Sequence, residues 1–258
     1  MNALITFGCS WTKGKFSWYD PNILSYTEMS GEEIKSTLRQ KHFKDLTEEY
    51  CFRTILSRRH DYVNINLAAG GSSNQKQFRL AEEYFNTDDY KKYDNVIVLW
   101  GITSTARLDV WSNKMKKYTN YHLTKKKNLK WATDYYDHDV EVKRLSTQIQ
   151  HWDNYFKMIG VKNYWFDTFN HHNYTYDSPN MIMSHEKSRD LMSNLCIDMG
   201  HKSSMNGYHH SIWKLDDDRI KFLLKKNLVN PHTHHPNREC HIKIADMLDK
   251  FVNFCYYK

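Results

Sequence analysis

Cysteine, glycine and proline are all scarce in this chain, at five, nine and four of 258 residues. The cysteines (Cys9, Cys51, Cys196, Cys240, Cys255) are odd in number, scattered and without a CxxC pair, which reads as reduced thiols rather than a disulfide framework. So little glycine and proline argues against a loop-rich scaffold. No run of eighteen apolar residues is present, so no membrane span is expected. The apolar N-terminal stretch is too short for a signal peptide and has no basic lead, which makes a cytoplasmic setting the expectation. An acidic excess is missing too. The net charge of +7 is moderate for this length and permits an anionic partner without identifying one. Much of it is local, in Lys114, Lys116, Lys117, Lys125, Lys126, Lys127 and Lys130.

What is present is a globular composition. A hydrophobic fraction of 40% with 26% charged residues suits a soluble folded chain, and 258 residues can bury a sizeable core. No internal repeat or linker divides the sequence, so one domain over 1–258 is expected.

The apolar pattern alternates between strand and helix. NALITFG (2–8) reads as a first strand, followed by an aromatic and polar loop over 9–30. Helical spacing runs from Glu32 to Gln40 and from Thr47 to Arg58. YVNINLA (62–68) is a second strand closed by Gly70-Gly71, and Asn74 to Phe85 a helix with Phe78, Ala81 and Phe85 on one side. NVIVLWG (95–101) is a continuous apolar run of the kind buried on both faces of a parallel sheet. A polar, Lys-rich and aromatic insertion, or lid, occupies about 109–138. Val140 to Ile159 is a long helix ended by Gly160, and NYWFDTF (163–169) the next strand. The stretch 171–230 offers helices near 185–198 and 216–227, the second begun by Asp216-Asp217-Asp218, but no readable fifth strand. A last helix follows Pro236. Strands alternating with helices imply βαβ units and a mostly parallel sheet.

Ligands of such a sheet bind beyond the carboxyl ends of its strands, so the residues after each apolar run carry the information. They are Gly8-Cys9-Ser10, Gly70 to Asn74, Gly101 to Ser104 and, before the last helix, HTHHPN (232–237). A hydroxyl, a glycine turn, a polar turn and a histidine cluster on one rim are the parts of acyl transfer: nucleophile, backbone donors and general base. Each has a plainer reading. Ser10 can be a turn or cap serine, Gly70-Gly71 a tight turn, His235 a surface histidine, Thr103 a turn residue, and Asn74 a cap of the helix it opens. The set His232, His234, His235, Cys240 and His241 also invites zinc, but its spacing matches no standard site and no CxxC accompanies it. The Lys-rich stretch, interleaved with Tyr118, Tyr121 and Trp131, reads as a solvated face rather than a nucleic-acid site; as a lid it could stack aromatics on a sugar ring.

In order along the chain, FGCSWT, NLAAGGSSNQ, LWGITSTAR and HHPNRECHIKIADML resemble the conserved blocks of the SGNH hydrolases, also called GDSL esterases and lipases. The resemblance covers the chain up to about residue 109 and after 230. It implies a three-layer α/β/α sandwich around a mostly parallel sheet of about five strands, the flavodoxin-like arrangement. It also implies Ser10 as nucleophile, Gly71 as an oxyanion donor and His235 as general base. The chain departs from the family pattern at three places. Cys9 replaces the aspartate beside the nucleophile. Thr103 replaces the asparagine whose amide completes the oxyanion hole, with Asn74 a candidate substitute. His232 stands where the triad aspartate is expected. A neutral imidazole could orient His235 but not stabilise an imidazolium as a carboxylate does. Three alternatives follow: an acid from elsewhere (Asp167 or Glu239), a Ser–His dyad, or lost catalysis.

The function so implied is hydrolysis of an O-acyl ester, acetyl first, on a small molecule or carbohydrate, with no cofactor or metal and no membrane or nucleic-acid partner. The alternative is a catalytically degenerate module that binds glycans or serves assembly.

Overall fold

The computed structural model describes residues 1–17, 19, 41–123, 134, 136–169, 171–182, 190–201, 218–231 and 233–254. The helix expected from Glu32 to Gln40, most of the loop over 9–30, Trp131, Asp216, Asp217, Cys255 and His232 lie outside them.

Four parallel strands form the central sheet: β1 (Asn2–Phe7), β2 (Tyr62–Asn66), β3 (Asn95–Ile102) and β6 (Lys162–Asp167), in the order β2-β1-β3-β6. Every residue of β1 is buried. Alternate side chains supply two separate cores, which is why the sequence shows an unbroken apolar run rather than alternation. Leu4, Ile97 and Leu99 face one core, whereas Ile5, Phe7, Val98 and Trp100 face the other.

Helices cover both faces. Helix α3 (Phe52–His60), α6 (Leu191–Asp198), α7 (Asp218–Lys225) and α8 (Arg238–Asp249) pack on the Leu4 side. On the other side lie α4 (Asn74–Phe85) and α5 (His138–Ile159), where the abundant aromatics collect. Trp100 stacks on Phe7 at 4.4 Å and on Trp165 at 4.7 Å between ring centres, so large rings fill the space that aliphatic side chains would otherwise need. Helix α5 begins where the Asp137 side chain accepts from Val140 N and ends on left-handed Gly160.

Among the described residues the parallel sheet has four strands, against an expectation of about five. Beyond β6 the chain makes only single parallel bridges, Trp165 to Met181 and Asp167 to Asp190. Backbone bonds from Ile182 N to Trp165 O (2.7 Å) and from Trp165 N to Asn180 O (3.0 Å) satisfy the edge of β6. The expected loop after β1 opens with a short helix, α1 (Ser10–Lys13), and α2 (Lys41–Tyr50) precedes α3. The insertion begins earlier than 109, as an antiparallel hairpin of β4 (Arg107–Ser112) and β5 (Lys117–His122). Tyr118 and Tyr121 are exposed on it, and the Arg79 guanidinium lies 4.6 Å from the Tyr118 ring centre. Among the described residues no helix is long and apolar enough to cross a membrane. The four described cysteines, Cys9, Cys51, Cys196 and Cys240, are buried.

Candidate functional site

Strand register sets the site. Phe7 pairs with Trp100 and Thr6 with Asn66, so β1, β2 and β3 end level with one another. The chain runs from β1 to β2 on one side and then back across β1 to β3, making β1/β3 the switch point where loops diverge and leave a crevice. Gly8 and Gly101 let α1 dock tightly there: a side chain at either would overlap the Thr12 hydroxyl. That close approach starts α1 directly at the strand end and puts Ser10 in its first position. A helix's first N–H has no partner within the helix, so the Ser10 N–H is left without one.

His235 arrives from the other end of the chain. Its loop is closed by Asn230 N on His235 O (2.8 Å) and by Asn237 N on Leu228 O (3.0 Å), and the Asn237 side chain then caps α8 through Cys240 N. The imidazole Nε2 lies 2.8 Å from Ser10 Oγ. Its Nδ1 lies 2.8 Å from the carbonyl oxygen of Thr233. A carbonyl can only accept, so Nδ1 carries the proton and Nε2 accepts from the Ser10 hydroxyl. Both side chains are buried, Ser10 at 8% exposure and His235 at 5%. Phe16 packs on the imidazole at 5.4 Å between ring centres. Burial, then the charge of Lys15, and more weakly that of Arg107, hold His235 down at about 3, opposed by the bond to the Thr233 carbonyl. The ring is therefore neutral at pH 7 and ready to accept a proton, but a weak base.

The carboxylates proposed for the third position are elsewhere. Asp167 is fully buried and accepts from His172 Nδ1 (2.9 Å) and His172 N (3.1 Å). Glu239 is exposed on the first turn of α8 and pairs with Lys243 at 3.6 Å. The orienting group is a peptide carbonyl, which has no side-chain signature. His232 lies outside the described residues.

Gly71 lines the same cavity, in the left-handed region at φ 70° that glycine adopts without strain. Its carbonyl accepts from Asn120 of β5 (2.7 Å), and its N–H has no acceptor among the described residues. Asn74 corrects both readings of it. Ser73 caps α4, by accepting from Lys76 N. The Asn74 amide instead donates to Thr103 O and accepts from Thr103 N, each at 2.9 Å, and it lines a different cavity from the one that holds Ser10. It staples the glycine turn to the end of β3. Thr103 is buried, outside the cavity wall, and its hydroxyl accepts from Arg107 Nη1 at 2.9 Å.

The cavity holds about 620 Å³. Among the lining residues that sequence reasoning missed are Lys15 on the turn after α1, Arg107 at the start of β4 and His122 at the end of β5. Arg107 stood inside the quoted stretch LWGITSTAR and Lys15 three residues after FGCSWT, but a single cation after a polar turn carries no distinguishing pattern. The hairpin thus contributes two of these residues to the site. Among the described residues no three His, Cys, Asp or Glu side chains converge as metal ligands. Cys240 lies in the core, and His241 accepts from Phe52 N at 3.4 Å and stacks on the Phe52 ring.

Comparison of the chain with protein-family models, with curated proteins and with solved structures gives no match.

Proposed function

We propose that the chain is a serine hydrolase of the SGNH type that cleaves an O-acyl ester, acetyl first, on a small molecule or carbohydrate. The observation that carries this reading is the Ser10–His235–Thr233 chain of contacts, which fixes the tautomer needed for general-base catalysis. The order β2-β1-β3-β6, with bridges from β6 to Met181 and Asp190, supports reading the sheet as a flavodoxin-like one whose fifth position lies beyond β6.

In the proposed reaction Ser10 Oγ attacks the ester carbonyl while its proton passes to His235 Nε2. The carbonyl π pair moves to oxygen, and the N–H groups of Ser10 and Gly71 hold the oxyanion. Collapse expels the alcohol, which takes the proton from Nε2. Water then attacks the acyl-enzyme with His235 again as base and releases the acid. The Thr233 carbonyl keeps the ring in one tautomer but brings only a dipole, so the imidazolium is less stabilised than beside an aspartate. Slow turnover is the expected consequence.

The test is hydrolysis of p-nitrophenyl acetate by the wild type and by Ser10→Ala. A loss of about 10³-fold or more in kcat is expected. An equal rate in the two proteins overturns the mechanism.

A further inference from the structure

Among the described residues three arginines are buried: Arg53, Arg107 and Arg219. Arg53 pairs with the Glu48 carboxylate and donates to Asn64 Oδ1 (3.0 Å) and Lys13 O (3.3 Å). Arg219 pairs with Asp190 at 3.2 Å. Arg107, only 5% exposed, has no carboxylate within ion-pair distance among the described residues. Its Nη1 donates to the Thr103 hydroxyl, the Cys9 thiol lies beside it, and its guanidinium carbon is 5.3 Å from the Phe169 ring centre. A guanidinium stays charged, and burying it without a counter-charge costs several kcal/mol. The fold accepts that cost at the wall of the cavity that holds Ser10 and His235.

A second cation shares that cavity. Lys15 stands 5.5 Å from the ring centre of Phe16, the ring that packs on His235. The turn carrying them holds Phe16 at φ 71°, a conformation disfavoured for a bulky side chain and therefore imposed by its surroundings. The acids on the cavity wall, Asp45 and Glu48, are exposed, and Glu48 is engaged by Arg53 and by Asn66 Nδ2 at 3.1 Å. Among the described residues the buried charge beside the reactive pair, that of Arg107, is thus positive and without a carboxylate partner.

We propose that Arg107 and Lys15 form a subsite for a carboxylate carried by the alcohol part of the ester, so that the substrate is an O-acyl derivative of an acidic molecule. A guanidinium fork matches a carboxylate in two parallel hydrogen bonds, and its stacking on Phe169 orients that fork. Docking the carboxylate would also offset the two cations that oppose an imidazolium at His235. The substrate would then bring to the site the negative charge that the Thr233 carbonyl does not provide. This inference rests on the hydrolase reading of Ser10.

The experiment compares 3-acetoxybenzoate with its neutral methyl ester on the full chain at low salt, each rate divided by that ester's alkaline hydrolysis rate. A preference of about 10-fold or more for the carboxylate is expected, lost in Arg107→Lys and reduced about threefold in the exposed-site variant Lys15→Met. No preference in the wild type, or one that both variants retain, overturns the subsite while leaving Ser10 chemistry standing. If neither ester is turned over in a Ser10-dependent way, calorimetric titration of the same proteins with 3-hydroxybenzoate decides separately. Binding by the wild type that Lys15→Met weakens upholds the subsite though the hydrolase reading fails, and no binding overturns both.

Discussion

Two buried histidines sit at two strand ends, and they divide the parts of a triad between them. At the end of β6, His172 donates from Nδ1 to a buried carboxylate, Asp167, but its Nε2 is enclosed and has no hydrogen-bond partner among the described residues. At the end of β1, His235 has a serine on Nε2, a cavity in front of it and a peptide carbonyl at Nδ1. A carboxylate–histidine pair is therefore not by itself a catalytic signature; what marks a site is a nucleophile with access to a ligand. On the proposed reading the first pair is structural and the second is the one placed for chemistry.

The comparison can be broken by removing each pair in turn. His235→Gln is expected to lower kcat on a neutral ester by about 10³-fold while leaving the melting temperature unchanged or higher, because a buried neutral imidazole is replaced by a polar side chain of similar reach. Asp167→Asn is expected to do the reverse. It costs about 2–3 kcal/mol by weakening hydrogen bonds to a charged acceptor, seen as a melting point roughly 5–10 °C lower, with kcat per folded molecule unchanged. Equal effects of the two substitutions on rate would erase the distinction.

An effect of similar size on stability follows from acid. His235 and His241 are both held at about 3, by burial first in each case, with Lys15 and Arg107 adding to the effect on His235 and Arg53 on His241. In the unfolded chain each has an ordinary value near 6.5, so between about pH 6.5 and 3 the unfolded state binds more protons. Their contribution to stability is full above 6.5 and is lost as the pH falls. At pH 5.5 the two together are expected to cost about 3 kcal/mol, a melting point roughly 5–10 °C below that at pH 7.5. The variant His235→Gln should show about half that drop, and an unchanged drop would mean that His235 is not buried as a neutral base.

Much of this was legible in the sequence, for reasons particular to certain residues. NALITF and NVIVLWG are apolar without alternation because both faces of the sheet are covered, and each gives way to polar residues at the same rim; the resemblance of four sequence blocks to the SGNH hydrolases then pointed to Ser10, Gly71 and His235. The level strand ends then bring these three to one cavity. Three features were not legible. The partner of His235 is a backbone carbonyl, and every residue has one. Asn74 follows the capping serine by one position, so its side chain turns to Thr103 rather than to the helix end or the cavity, a difference that spacing does not encode. The proposed role of Arg107 rests on its having no carboxylate partner among the described residues, and a missing neighbour is a property of the fold alone.

The most direct test of the central claim is covalent. The full-length protein treated with a fluorophosphonate probe at pH 7.5 should gain one adduct, mapped by mass spectrometry of its peptides to Ser10, and heat-unfolded protein should gain none. An adduct on another residue, or none on the folded protein, would contradict the assignment of Ser10 as an activated nucleophile.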